Sequence, residues 1–276
     1  MRRLWTFAAI FSLMSGGMTS MANDRPAKVE IVGHRGASYD APENTLSALK
    51  LGWDQQADAI EFDVYLSKDG QIVLSHDADT KRAAGVDKKV ADQTYDELRK
   101  LDVGAWKDKR YTGERIPLLS EALATIPSGK RVFIEVKCGP EIMPELQRVL
   151  AAAKRPESET AIISFSKDVV AASKKTLPAC KAYWIVSVKR DKQTAEWNHS
   201  ADSLIQTAKE LHADGLDLSA CDLIDPGFGE MVKASGLELL VWTVNDLKVA
   251  RQMIAAGVQG ITTDRPLWLR EQLAQP

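Results

Sequence analysis

The sequence predicts an α/β fold, a (β/α)8 TIM barrel with a small insertion after the second strand. Short apolar runs alternate with helical patterns from Val29 onward, and there are eight such runs. Removing residues 1–22 from the 276 leaves 254, close to the roughly 250 residues typical of this barrel. The first run ends in Gly33-His34-Arg35-Gly36, which is not the Gly-rich loop that an open doubly wound sheet, the alternative fold, usually carries there.

The eight runs predict parallel strands joined by crossover helices. They cover residues 29–34, 59–66, 131–137, 160–166, 182–188, 215–219, 237–244 and 257–263. Between them, residues 44–56 place Leu46, Leu49 and Trp53 on one helical face. Residues 246–257 end in Gly257, a typical helix stop.

Two connections interrupt the alternation. Residues 66–76 predict a hairpin that turns at Asp69-Gly70 and extends the second strand. The long polar segment from Asp77 to Ile116 follows, with one helical stretch at 95–101, and predicts an insertion over one end of the barrel. Residues 189–200 predict a smaller irregular connection.

Residues 1–22 have the pattern of a secretory signal peptide. Arg2 and Arg3 precede an apolar run from Leu4 to Met14, and small residues lead up to a cleavage site after Ala22. The alternative is a membrane anchor, but this run is too short to cross a bilayer of roughly 30 Å. The segment therefore predicts export to the periplasm or the medium, without stable membrane insertion after cleavage.

Composition excludes several function classes. The formal net charge of −2 argues against a nucleic-acid surface. The three cysteines, Cys138, Cys180 and Cys221, form no CxxC pair, so neither a zinc site nor a disulfide framework is indicated. No GxSxG elbow is present, which disfavours a serine-nucleophile hydrolase.

The second and third predicted strands carry acidic residues where a barrel interior is expected. Side chains alternate along a strand, so the apolar residues of 59–66 and 131–137 share the helix-facing side. The opposite face carries Glu61, Asp63, Tyr65, Phe133, Glu135 and Lys137. Three carboxylates and one lysine are thus predicted to point into the barrel.

These carboxylates, Glu61, Asp63 and Glu135, predict a metal site. Buried carboxylates must be paired or bound to a metal, and one lysine leaves excess negative charge. Oxygen ligands suit one hard divalent cation, Mg²⁺ or Ca²⁺. The alternative is an internal salt-bridge network around Lys137.

Two histidines end neighbouring strand segments close to the predicted acidic cluster. His34 ends the first strand and His76 ends the hairpin, and active sites of this barrel form at the C-terminal strand ends. Histidine is the natural general acid or base near neutral pH. By contrast, His199 and His212 have helical or loop contexts and are expected to be structural.

Cations beside this cluster predict an anion site, and phosphate fits it. Arg35 follows His34, and Lys137 follows Glu135 at the second position. The alternative for Arg35 is an ion pair with Glu43 or Asp63.

Other residues near the strand ends have structural interpretations. Asn44 or Thr45 can simply cap the first helix. Trp242 can wall a substrate pocket or serve ordinary packing. Asp264 ends the eighth strand and can cap the last helix.

With these residues in place, the sequence resembles the glycerophosphodiester phosphodiesterase family. The matching segments are GHRGA (33–37), PENTL (42–46), EFDVYLSKDG (61–70), HD (76–77), GERIPLLSEAL (113–123), IEVK (134–137), VWTVN (241–245) and GITTDRP (260–266). The resemblance covers almost all of the chain after residue 22. It departs at one place: the family often has a Leu after the His-Asp pair and Thr-Thr after the Arg, where this chain has Thr80 and Ala83-Ala84 with Arg82 retained.

The resemblance implies the barrel with its insertion and metal-dependent hydrolysis of glycerophosphodiesters. It implies acid–base roles for His34 and His76, and metal ligation by Glu61, Asp63 and Glu135. It also implies that Arg35 and Lys137 lie near the phosphate and Glu43 near the site.

Three hypotheses follow for the function. In the first, the protein is a glycerophosphodiesterase that releases an alcohol and glycerol phosphate. The glycerol hydroxyl beside the phosphorylated carbon attacks phosphorus, and water then opens the resulting cyclic phosphate. Direct attack by water is the alternative route. The second is a lipid-acting relative on the same barrel, of the sphingomyelinase-D or phosphoinositide-cleaving type, which needs a membrane-binding surface. The third is a non-catalytic metal-binding barrel.

Overall fold

A computed structural model of the protein describes residues 29–275, in which parallel strands close into an eight-stranded barrel. The strands are β1 (Glu30–Gly33), β2 (Ala59–Leu66), β3 (Ile72–Leu74), β4 (Arg131–Val136), β5 (Thr160–Ser164), β6 (Lys181–Val186), β7 (Gly215–Ser219), β8 (Glu238–Trp242) and β9 (Gly260–Thr263). Around the barrel the order is β1, β2, β4, β5, β6, β7, β8, β9, and pairing of β1 with both β2 and β9 closes it. The predicted fold class and all eight predicted strands are confirmed.

Each barrel strand leads to a helix on the outside of the barrel. The helices are α1 (Leu46–Asp54), α2 (Lys81–Ala84), α3 (Tyr95–Leu98), α4 (Leu119–Ala124), α5 (Met143–Ala153), α6 (Lys167–Thr176), α7 (Ala201–Glu210), α8 (Pro226–Ala234), α9 (Leu247–Ala255) and α10 (Pro266–Ala274). Side-chain oxygens of Thr45, Ser166, Asp225 and Asp246 accept backbone hydrogen bonds at four helix starts. These caps satisfy amides that have no partner within the helix, so the sequence fixes where several helices begin.

The two faces of each strand pack differently. In β2, Ile60, Phe62 and Val64 are buried against the helices, in one cluster with Leu119 and Leu146. This is the face that the alternation of the sequence predicts to be apolar. The opposite face of β2 is therefore directed into the barrel.

The lower half of the barrel interior is filled and closed. Its buried apolar side chains include Val32, Phe133, Tyr183 and Leu240. Below them, Arg131 Nη1 donates to Glu30 Oε2 at 2.9 Å, and the Tyr183 hydroxyl donates to Glu238 Oε2 at 2.7 Å. The cavity inside the barrel lies toward the C-terminal ends of the strands.

The insertion has its own small core. β3 pairs antiparallel with β2 across the predicted turn at Asp69-Gly70. A cluster of Val73, Val90, Leu98, Val103 and Ile116 is buried beneath the segment. The predicted helical stretch at 95–101 is present as the shorter α3, and residues 189–200 form an irregular connection, as predicted.

The insertion is attached to the connection between β1 and α1. Lys107 Nζ donates to the Ser38 carbonyl at 2.8 Å, and the Tyr111 hydroxyl donates to the Asp40 carbonyl at 2.9 Å. The insertion thus covers the C-terminal end of the barrel beside β1, as the sequence predicts.

Two further sequence predictions concern the ends and the cysteines. The signal peptide at residues 1–22 lies outside the described residues, and none of the helices in 29–275 is long and apolar enough to cross a membrane. Cys138, Cys180 and Cys221 are all free thiols, in line with the absence of a disulfide framework in the sequence pattern.

Gly36 allows the turn after β1 to lie against α1. Its φ is +87°, and a Cβ there would lie 2.4 Å from the Ala48 carbonyl oxygen. Gly70 has a similar φ of +76°, but a Cβ there would meet nothing within 4 Å. Both glycines therefore have a left-handed backbone conformation, but a side chain would clash with its surroundings at Gly36 and not at Gly70.

We expect Gly36→Ala to destabilise the protein more than Gly70→Ala. The left-handed conformation alone costs an L-residue roughly 1–2 kcal/mol, and overpacking at Gly36 adds a further ~1–3 kcal/mol. Urea unfolding of the two variants measures the difference in free energy of unfolding. Equal losses would mean that the turn moves away from α1 without cost.

Candidate active site

Three carboxylates converge at the C-terminal end of the barrel on adjacent strands. Asp63 on β2 pairs in register with Glu135 on β4, so they lie at one level. One oxygen from each of Glu61, Asp63 and Glu135 lies within 4.8 Å of the others. All three side chains are buried. The acidic cluster predicted from the alternation of the strands is thus present.

Burial and mutual repulsion disturb the ionisation of this acidic triad. Burial, then the charges of Asp63 and Glu135, raise the pKa of Glu61 well above its ordinary value. Burial and Asp63 raise the pKa of Glu135 to about 7, although Lys137 opposes the rise. For Asp63 burial acts in the same direction, but Arg35 and Lys137 outweigh it and lower its pKa. The two cations thus keep Asp63 ionised but do not offset the burial and mutual repulsion that disfavour the charged forms of Glu61 and Glu135.

The acidic triad fits a divalent metal ion. Glu61 Oε1 and Asp63 Oδ1 are buried and, within the described residues, accept no hydrogen bond. Lys137 Nζ donates to Glu135 Oε1 at 2.7 Å and lies 3.5 Å from Asp63 Oδ1, so the alternative salt-bridge network also exists. That network leaves Glu61 Oε1 without a partner, and carboxylate oxygens are the donors that hard cations prefer.

Two residues in left-handed backbone conformations hold the triad from the side of α1. Asn44 has φ +58°; its Nδ2 donates to Asp63 Oδ2 at 2.8 Å, and its Oδ1 accepts from the Asp63 amide at 3.1 Å. Arg35 has φ +52°, and its amide donates to Glu61 Oε2 at 2.9 Å. Such strain costs about 1–3 kcal/mol per residue and is typical of functional sites. Thr45 caps α1, so Asn44 serves the acidic cluster.

His34 is held by a partly buried acidic partner. Its Nδ1 lies 2.6 Å from Asp264 Oδ1, an oxygen that also accepts from Ser38 Oγ at 2.8 Å. Burial opposes ionisation of Asp264, but its hydrogen bonds and the charge of His34 lower its pKa to about 2. A carboxylate can only accept, so Nδ1 of His34 carries the proton and Nε2 is left for other chemistry.

His76 has a similar arrangement on the insertion side. Its Nδ1 lies 2.8 Å from Asp77 Oδ1. Burial and the positive charges of Arg35 and Lys137 lower the pKa of His76, although Asp63 opposes the shift. The lowered pKa favours the neutral ring, which can accept a proton at Nε2.

Arg35 forms both of the ion pairs considered from the sequence. Its Nη1 donates to Glu43 Oε1 at 2.9 Å, and its Nε lies 3.1 Å from Asp63 Oδ2. Glu43 in turn accepts from Arg82 at 2.7 and 3.2 Å, and Arg82 Nε donates to Asp77 Oδ2 at 2.6 Å. A continuous chain of ion pairs thus connects the insertion to the acidic cluster.

A cavity of about 200 Å³ opens beside the triad. Its lining includes His34, Arg35, Glu61, His76, Glu135, Lys137, Asp217 and Trp242, with apolar contributions from Ile163, Phe165 and Ile185. The two imidazoles and both predicted phosphate-binding cations therefore share one space. Glu43 does not line this cavity, because its carboxylate is directed to the two arginines.

Trp242 combines the two roles considered for it. Its ring packs edge-on against Phe165, with centroids 5.6 Å apart, and its Nε1 donates to the Asp217 carbonyl at 3.2 Å. It also forms part of the cavity wall. His199 packs against Trp184, and neither it nor His212 reaches this cavity.

Sequence reasoning missed three residues of the site. The suggestion that Asp264 caps the last helix is wrong: Arg265 is at the cap position of α10, and Asp264 holds His34. Asn245 fixes Asp264, with Nδ2 donating to Oδ2 at 2.5 Å and Oδ1 accepting from the Asp264 amide at 3.0 Å. Asp217 lies between outward-facing Leu216 and Leu218, and the alternation argument that found Glu61 applies equally to it.

Comparison with known proteins agrees with this geometry. Residues 34–267 match the model of the glycerophosphoryl diester phosphodiesterase family. A glycerophosphodiester phosphodiesterase of Caldanaerobacter subterraneus is 34% identical over 245 residues, which cover 87% of this chain and 95% of the relative.

Solved structures give the same result. An Oleispira antarctica phosphodiesterase in complex with the product sn-glycerol-3-phosphate superposes with a TM-score of 0.77 at 27% identity, covering 88% of this chain and 96% of the other. A glycerophosphodiester phosphodiesterase of Agrobacterium tumefaciens gives a TM-score of 0.74 at 27% identity, with 88% and 100% of the two chains covered. This chain belongs to the glycerophosphoryl diester phosphodiesterase family.

Proposed function

We propose that this protein hydrolyses glycerophosphodiesters to an alcohol and sn-glycerol 3-phosphate. The observation that carries the proposal is the shared cavity, in which two imidazoles held by carboxylates face a buried acidic triad and two cations. Family membership supports it, as does the product complex of the Oleispira antarctica relative. Small soluble diesters suit a cavity of about 200 Å³.

In this proposal Glu61, Asp63 and Glu135 hold one divalent cation, Mg²⁺ or Ca²⁺. A cation bound there supplies Lewis-acid polarisation of the phosphoryl group. Lys137 and Arg35 remain ionised beside the triad, because the neighbouring carboxylates outweigh burial and raise the pKa of each. Their positive charges bind the phosphate and stabilise the charge that builds on it.

The two histidines divide the proton transfers. His76, with its lowered pKa, takes the proton from the glycerol hydroxyl next to the phosphorylated carbon, and the oxygen attacks phosphorus. His34 enters the reaction protonated at both ring nitrogens, with Asp264 as its counter-ion; its Nε2 gives a proton to the departing alcohol, which leaves a cyclic phosphate. Water then opens the ring with the two roles reversed.

Glu43 and Trp242 act on substrate placement in this scheme. Glu43, held between Arg35 and Arg82, orients the Arg35 guanidinium toward the phosphate. Trp242 forms an apolar wall together with Phe165. Orientation of the reacting groups is itself a large part of catalysis.

Chelation should abolish turnover of glycerophosphocholine, and Mg²⁺ or Ca²⁺ should restore it. A bound cation stabilises the folded state by mass action, so each active metal should also raise the melting temperature. Glu61→Gln should lose this shift. Glu30→Gln, which removes a partly buried carboxylate at the opposite end of the barrel, is the matched control and should retain it. Full activity in metal-free protein would contradict the assignment.

Asp264→Asn should reduce kcat by on the order of 10²–10⁴, because an amide no longer fixes the tautomer of His34. Asp225→Asn is a suitable control, since Asp225 caps α8 away from both histidines. Asn caps a helix about as well as Asp, so this variant should keep both its stability and its kcat nearly unchanged. Thermal melting verifies that both variants fold; a kcat for Asp264→Asn near the wild-type value would exclude a catalytic role for the His34–Asp264 pair.

A diester that lacks only the hydroxyl next to the phosphorylated carbon should bind competitively without reacting. That hydroxyl is the proposed attacking group, so its loss removes the nucleophile. His34→Ala and His76→Ala should each nearly eliminate turnover of the parent diester and keep the metal-induced melting shift. Turnover of the deoxy substrate at the parent rate would mean that water attacks directly.

We also propose that the protein is exported and that cleavage follows Ala22. The charged start, the short apolar run and the small residues before Asn23 support this. Intact-mass measurement on exported protein should give a chain that begins at Asn23. Recovery of a chain with Met1 from membranes would favour the anchor instead.

A further inference from the structure

Asp217 is a buried carboxylic acid on the wall of the cavity opposite the acidic triad. It lies on β7, which is four strands from β2 in either direction around the barrel. Leu216 and Leu218 on the same strand pack outward against the helices, so Asp217 faces the interior. Its side chain lines the cavity and is 3% exposed.

The Asp217 carboxyl has no partner among residues 29–275. Its Oδ1 is buried without a hydrogen bond, and the contact from Trp242 goes to its backbone carbonyl. Its ladder neighbours, Ile185 and Leu240, are apolar. A buried polar group without a hydrogen bond is unfavourable and calls for a ligand or another explanation.

The surroundings of Asp217 indicate the kind of ligand that it accepts. Its oxygens lie outside the metal cluster of Glu61, Asp63 and Glu135, and the two cations of the cavity contact that cluster instead. Burial, then the charge of Glu135, raise the pKa of Asp217 to about 8. A neutral carboxyl offers one donor and one acceptor, which matches a hydroxyl group.

Resting on the proposed function, we infer that Asp217 binds the terminal hydroxyl of the substrate's glycerol and selects for it. The phosphate is held near Arg35 and Lys137, on the side of β1 and β4. The hydroxyl next to the phosphorylated carbon is used as the nucleophile. The terminal hydroxyl, farthest from phosphorus, is the group left to reach across the cavity to β7.

The test compares glycerophosphocholine with 2-hydroxypropyl phosphocholine, which lacks only the terminal hydroxyl. A site built to bind a hydroxyl strongly rejects an analogue without it, so the wild type should prefer glycerophosphocholine by at least about 10²-fold in kcat/KM. Asp217→Leu should reduce this preference at least about tenfold, mainly through loss of activity on glycerophosphocholine. Asp217→Asn, which keeps a donor and an acceptor, should retain part of it.

Ile185→Val is the matched control, because Ile185 lines the same cavity and pairs with Asp217 across the β6–β7 ladder. It should change the kcat/KM of both substrates in equal proportion. Melting temperatures verify folding, and Asp217→Asn decides the matter if Asp217→Leu does not fold.

The inference is overturned if the wild type hydrolyses the two diesters with nearly equal kcat/KM. It is also overturned if folded Asp217 variants keep the wild-type preference, or if they lose activity on both diesters in equal proportion. Hydrolysis of both diesters by the wild type without a preference still agrees with the proposed function. Failure of the wild type to hydrolyse either diester with Mg²⁺ or Ca²⁺ overturns the proposed function, and this inference with it.

Discussion

The burial of Glu61, Asp63 and Glu135 within 4.8 Å of one another is the constraint on which the upper half of the barrel depends. Like charges at this distance repel strongly when water is excluded. Three side chains counter this repulsion by ion pairs or hydrogen bonds to the carboxylates: Lys137 after β4, Arg35 after β1 and Asn44 just before α1. These residues hold the triad in place while leaving oxygens of Glu61 and Asp63 without hydrogen bonds. The site is therefore organised for a cation before one binds.

This electrostatic arrangement explains the strain in the connection between β1 and α1. Arg35 and Asn44 adopt left-handed backbone conformations, and each thereby brings a polar group onto a buried carboxylate. Gly36 lets the turn approach Ala48 closely enough for this to occur. The unfavourable backbone is offset by hydrogen bonds to charged groups, which are stronger than those between neutral partners. Local stability is thus given up where the chemistry needs fixed positions.

The sequence could predict the barrel and most of the cavity because both depend on patterns of period two along single strands. Glu61, Asp63 and Glu135 interrupt apolar faces, and His34 and His76 end strand segments, so their positions follow from the fold class. The roles of Asp264 and Asn245 could not be predicted in this way. Their hydrogen bonds join the ends of β8, β9 and β1, and such contacts depend on how the barrel closes. Asp217 obeyed the strand rule, but a single acid in a five-residue strand gives a weak signal.

The two imidazole–carboxylate pairs differ in what anchors them. Asp264 is fixed by Asn245 after β8 and by Ser38 in the connection between β1 and α1, whereas Asp77 is fixed by Arg82 of the insertion. The orientation of His76 therefore depends directly on the fold of the insertion, and that of His34 depends mainly on residues outside it. The departure from the family pattern falls in this region. Thr80 is buried and donates to the Val86 carbonyl at 2.8 Å, while Ala83 and Ala84 pack on the core of the insertion. The insertion accommodates these residues internally, so Arg82 still reaches Asp77 and Glu43 and the coupling to the cavity is preserved.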